Sequence, residues 1–97
     1  MPDQSTCASL LKVLADETRL SVMQQLMDGP KHVGEINDGL QIDQSLLSHH
    51  LKVLRDKGLV ISERDGKAVL YSLAPDVSVN HHDGKVINLG CCQLSFE

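Results

Sequence analysis

Residues 45–60 read SLLSHHLKVLRDKGLV, an amphipathic helix that stops at a glycine and runs directly into a strand. Leu46, Leu47, Val53 and Leu54, with Leu51 between them, recur at helical spacing and are expected to seat the helix on a core. The remaining face carries Ser45, Ser48, His49, Lys52 and Arg55. Short hydrogen-bonding groups and cations of this kind meet base edges and phosphates when a helix enters the major groove of DNA. A solvated helix face has the same composition, so the segment after Gly58 decides between the two.

That segment holds two short β-prone runs, Leu59 to Arg64 and Lys67 to Leu73, separated by Asp65-Gly66. A two-residue Asp-Gly link signals a hairpin, because a type I′ turn needs positive φ at both central positions. That register sets Arg64 opposite Lys67, Ile61 opposite Leu70 and Val60 opposite Tyr71. Like charges facing each other cost stability, and a polyanion lying against the tip would offset that cost. Helix and hairpin in this order suit the reading helix and wing of a winged helix-turn-helix.

Upstream, Ser5 to Leu14 is rich in leucine and valine (Leu10, Leu11, Val13, Leu14), too apolar for a fully exposed helix. Asp16 is placed to cap a second helix, with Glu17 in its first turn. Leu20, Met23, Leu26 and Met27 give that helix an inward stripe, and Gly29-Pro30 ends it. A third helix, about Val33 to Leu40, turns Val33, Ile36 and Leu40 inward, and Asp43 caps the reading helix after a turn through Gln41 and Ile42. The expected fold is mainly α with a small β-hairpin: a winged helix-turn-helix. Residues 1–76 are expected to form the DNA-binding domain and residues 77–97 a tail carrying adjacent cysteines.

Ninety-seven residues with two aromatics make one small domain with an aliphatic core. No run approaches the roughly 18 apolar residues of a membrane span, and the start lacks the order of a signal peptide, so a soluble cytoplasmic protein is expected. Three cysteines without an export signal argue against a disulfide framework. The net charge is −4, but it is unevenly spread: −4 over residues 1–43, +2 over 44–72 and −2 over 73–97. The only basic third is the helix plus hairpin, and local field governs phosphate contact. An enzyme is not indicated. Ser48 and His49 are helix neighbours, not a facing nucleophile and base, and the chain has no phosphate loop or paired acidic cluster.

LADETRL (Leu14 to Leu20), then SLLSHHLKVLRDKGLV, then the hairpin ending in Tyr71-Ser72-Leu73 resemble the ArsR/SmtB family of bacterial repressors over about residues 8–76. The resemblance implies a homodimer on palindromic double-stranded operator DNA that represses transcription until an inducer releases it, with the first helix in the dimer interface. It points to Gln44, Ser45, Ser48 and His49 as base-edge or phosphate contacts, with Lys52 on the same face, and to Arg64 and Lys67 as wing contacts. Arg19 is either a phosphate contact or a structural partner of Asp16, and His50, beside Leu47, Leu51 and Leu54, reads as a packed histidine. No cofactor is implied for DNA binding itself.

The inducer site departs from the family. Metal- and arsenic-sensing members carry Cys-x-Cys in the third helix, where this chain reads His32-Val33-Gly34. The other common location, a long final helix, is replaced by a β-like run from Lys85 to Phe96. The chain offers instead Cys91-Cys92 near its end and Cys7 near its start. Adjacent cysteines on an ideal strand point to opposite faces, but Gly90 permits a turn or bulge that brings the sulfurs together. Soft thiolates select thiophilic ions. Trivalent arsenic or antimony takes three thiolates, so arsenite or antimonite on Cys7, Cys91 and Cys92 is the leading expectation for the inducer, with Cys7 from the same or the partner subunit. Three alternatives stand beside it: a redox or sulfur-species switch using Cys7 and one of the pair, a divalent metal on His81, His82 and Asp83, and purely structural cysteines. A winged protein-interaction module is the competing function class.

Overall fold

The computed structural model describes residues 4–80 and 85–96. Its elements run α1 (Gln4–Leu14), α2 (Glu17–Leu26), β1 (Lys31–His32), α3 (Val33–Leu40), α4 (Gln44–Asp56), β2 (Val60–Asp65), β3 (Ala68–Leu73), β4 (Ser78–Asn80), β5 (Lys85–Asn88) and β6 (Gln93–Phe96). Three helices start where a carboxylate answers a backbone amide. Asp16 accepts from the Arg19 N–H at 3.0 Å, Asp43 from the Ser45 N–H at 2.8 Å, and Glu35 reaches back to the His32 N–H at 3.0 Å. α4 closes in a Schellman motif, with the Gly58 N–H on the Arg55 carbonyl and the Leu59 N–H on the Leu54 carbonyl. That closure turns the chain straight into β2.

The core is aliphatic, as the composition requires. Val22, Met23, Ile36, Leu47 and Leu54 are fully buried, and Leu14, Leu26, Leu51, Leu59 and Val60 nearly so. α4 therefore seats Leu47, His50, Leu51 and Leu54. Leu46, expected inward with them, is instead 47% exposed. It falls at the edge of the apolar stripe, where helical periodicity alone does not decide the side.

The expected hairpin register is corrected. Asp65 pairs with Ala68, Arg64 with Val69, Ile61 with Ser72 and Val60 with Leu73, so the two-residue loop is Gly66-Lys67 and not Asp65-Gly66. Only the first loop residue takes positive φ (Gly66, +64°), which suits a II′ turn with glycine leading. Asp65 stays in the strand because its carboxylate is held by His32 at 2.8 Å. Arg64 and Lys67 consequently do not face each other. Lys31–His32 adds a short third strand, pairing with Tyr71 and Leu70 and giving the order β1-β3-β2.

The tail forms a second antiparallel sheet, β4-β5-β6. Ile87 and Leu89 enter the same core as the helices, with Val79, Leu94 and Phe96 partly buried against it. No helix among the described residues is long and apolar enough to cross a membrane.

Candidate nucleic-acid interface and thiol cluster

α4 presents Gln44, Ser45, Ser48, His49 and Lys52 on its exposed side, and the wing exposes Arg64 and Lys67. These are the expected contact residues, and they occupy one helix surface and one hairpin tip. Lys52 is shared with Asp56 one turn on, at 3.0 Å. Arg64 and Lys67 have no carboxylate in salt-bridge range among the described residues and stand free for an anion. The rest of α4 is fixed from beneath. Arg19 Nε donates to the Val13 carbonyl at 2.6 Å, and its Nη1 donates to His50 Nδ1 at 3.1 Å. A guanidinium has no acceptor, so the His50 ring proton sits on Nε2. Arg19 is thus a structural clamp joining the end of α1 to α4. Its link to Asp16 runs through its own backbone N–H, which holds that carboxyl below its ordinary range against partial desolvation. His50 is buried, as its neighbours suggested.

Two positioning residues escaped sequence reasoning. Asn37 clasps the turn between α3 and α4 from both sides, donating from Nδ2 to the Ile42 carbonyl at 2.9 Å and accepting the Ile42 N–H at 3.0 Å. An asparagine followed five residues later by an apolar residue at a helix-helix turn was the available signal. His32 straps α3 to the wing: Nδ1 lies 3.0 Å from Glu35 and Nε2 2.8 Å from Asp65. Asp65, then Glu35, raises the His32 pKa, while the His32 backbone N–H leads in lowering that of Glu35. The Cys-x-Cys location of metal-sensing members is thus taken here by an ion-pair strap.

The three cysteines converge within one chain. Cys7 lies on α1, and Cys91 at the apex of the β5–β6 connection, where Gly90 takes φ +92° and the Leu89 N–H bonds to the Cys92 carbonyl at 2.9 Å. The sulfurs of Cys7 and Cys91 meet at disulfide distance, their Cα atoms 5.8 Å apart. Cys92 Sγ lies 3.9 Å from Cys91 Sγ, and all three sulfurs fall within 4.8 Å of one another. The odd cysteine count argues against a disulfide framework; one pair is nonetheless aligned to form a bond. His81, His82 and Asp83, the alternative divalent site, lie outside the described residues.

A cavity of about 370 Å³ adjoins this cluster, lined by Thr6, Leu10, Lys57, Leu59, Val77 and Leu89 among others. Lys57, the C-cap of α4, donates to Ser9 Oγ on α1 at 2.6 Å. The sulfur-bearing helix is therefore bonded to the end of the helix that faces solvent with its polar side.

Residues 16–62 match the family model described as bacterial regulatory protein, arsR family. The transcriptional regulator NmtR of Mycobacterium tuberculosis is 42% identical over 66 residues, 68% of this chain and 55% of that protein. The solved structure of reduced HlyU from Vibrio cholerae superposes with TM-score 0.70 at 38% identity, covering 72% of this chain and 74% of the other. The chain belongs to the ArsR family. A homodimeric winged helix-turn-helix DNA-binding domain from Mycobacterium bovis, described as a possible ArsR-family transcriptional regulator, matches at 28% identity and TM-score 0.68, over 74% of this chain and 67% of that one. The chain spans a little over half the length of the curated relatives it matches. The match to the family model ends at residue 62, within β2, and Cys91 and Cys92 lie beyond it.

Proposed function

We propose that this ArsR-family regulator is a homodimeric repressor that leaves its operator when Cys7, Cys91 and Cys92 capture a thiophilic inducer, trivalent arsenic or antimony. The observation that carries the reading is the convergence of three sulfurs from α1 and the tail within 4.8 Å. Three thiolates are the donor set such an ion takes, and soft donors disfavour hard competitors. Gln44, Ser45, Ser48, His49 and Lys52 contact bases and phosphates, while Arg64 and Lys67 hold the flanking backbone. Binding draws α1 and the tail onto one ion. Through the Ser9–Lys57 bond that shift reaches the end of α4 and changes how the two reading helices are spaced across the dimer. Allosteric coupling of this kind is typically about 1–3 kcal/mol, a loss of operator affinity of about 5- to 150-fold.

A second reading is favoured by a specific observation, the Cys7–Cys91 alignment with its 5.8 Å Cα separation, inside the range disulfides occupy. Here the two thiols lose two protons and two electrons to a peroxide or polysulfide, and the new S–S bond is the signal. Cys92 separates the two. Band shifts with the native upstream duplex, repeated with arsenite, antimonite, zinc, cadmium, persulfide and peroxide, are compared for wild type, C92S and C91S/C92S. The three-thiolate reading expects C92S to bind the duplex, lose arsenite release and keep no compensating response. The dithiol reading expects C92S to respond to oxidant like wild type. Release of C91S/C92S by arsenite overturns the site. DNA binding itself is checked by salt: log affinity should fall against log salt with a slope of about −0.9 per phosphate neutralised. A flat response replaces the repressor by a protein-interaction module.

A further inference from the structure

Leu46 is one of two large apolar side chains left exposed among the described residues, at 47%, and it borders the polar face of α4. It is the third residue of that helix, between Ser45 and Leu47, and His49 lies one turn further on. Side chains tilt toward the N-terminus of their helix, the end whose residues reach base edges in helix-turn-helix proteins. An isobutyl group there has a limited choice of counterparts. In the major groove guanine, cytosine and adenine present donors and acceptors at their edges, whereas thymine adds a methyl group. Gln44, Ser45, Ser48 and His49 serve the polar patterns; Leu46 can serve none of them. Nor does it serve the fold, since the buried stripe of α4 is complete without it.

We infer that Leu46 is a specificity-determining residue that closes on the 5-methyl group of one thymine in each operator half-site. The inference rests on the reading of α4 as the DNA-contacting helix. Its test uses a chemical change smaller than any base substitution: deoxyuridine pairs as thymidine does and lacks only that methyl. The full-length protein selects its operator from random duplexes, and each thymine of the selected site is then replaced singly by deoxyuridine. For wild type, one position per half-site should weaken binding about fourfold, the worth of one buried methyl-sized group. For Leu46→Ala the same replacement should leave affinity unchanged, and the salt slope should stay at its wild-type value because no phosphate contact is removed. If every thymine tolerates the exchange, or if Leu46→Ala loses as much as wild type at the same position, the assignment is overturned. Failure of the underlying reading looks different: neither protein enriches any duplex, and the role of Leu46 falls with it.

Discussion

The wing hairpin and the tail hairpin share a device. Each puts a positive-φ glycine first at its apex, Gly66 at +64° and Gly90 at +92°, and a chemically active residue second, Lys67 or Cys91. They differ beneath the strands. From Glu63 to Ala68 every wing residue is exposed, and among the described residues the side-chain tie at the tip runs sideways, from Asp65 to His32. The tail hairpin is bolted down by Ile87 and Leu89, which lie in the core. One apex therefore projects a cation into solvent while the other presses a thiol onto α1. Turn chemistry decides which residue stands at the apex; packing under the strands decides what that residue meets.

The comparison breaks most readily at Ile87, only 1% exposed. Ile87→Ala should cost about 2–5 kcal/mol, read as a lower urea midpoint, and should slow Cys7–Cys91 crosslinking. A cost near zero would mean that the tail is not seated on the core. Next come the two apices. Gly66→Ala and Gly90→Ala should each cost about 1–2 kcal/mol, since an L side chain is strained at positive φ. Their functional losses should be opposite: the first weakens operator binding and spares inducer release, the second does the reverse. Equal losses of both activities would erase the distinction between the hairpins.

A smaller effect is pH-dependent and confined to the wing. The raised pKa of His32 means that its contribution is fully present below the ordinary value of 6.5 and fades as pH rises through the folded value. The lowered pKa of Glu35 means the opposite side is lost as pH falls below 4.5 through its folded value. The strap is therefore strongest between those ordinary values. The stability difference between wild type and His32→Gln, from thermal midpoints, should shrink as pH rises past neutrality; a pH-independent difference would remove the ion-pair account. Smallest is the tail's own surface pair, Lys85 with Asp28 at 3.6 Å, both well exposed. Asp28→Asn should change stability by less than about 0.5 kcal/mol, and by nothing measurable in high salt.

What the sequence disclosed is what local rules control. The caps Asp16 and Asp43, the bounds of α3, and the stop at Gly58 all depend on neighbours within a few residues, and each stands where expected. The hairpin slipped because Asp65-Gly66 satisfies a local turn rule, while the observed register depends on His32, 33 residues away. β1 was invisible because two residues have no period. Leu46 lies on the border of its helix face, where the repeat favours neither side. Arg19 had its two expected partners nearby in the chain or in DNA, whereas its guanidinium reaches His50 instead. The three sulfurs could be suspected of acting together from their chemistry, but their meeting depends on a fold-wide contact between the first helix and the last hairpin.

That contact has a topological consequence. With 83 residues between Cys7 and Cys91, bond formation closes a ring that takes in every element from α2 to β5. A ring cannot lend its first helix to a neighbouring copy, so segment exchange between molecules is barred for as long as the bond lasts. Nor does one protease nick divide it: clipped in the wing, the oxidised molecule migrates on a denaturing gel as a single tethered species, and the reduced molecule as two.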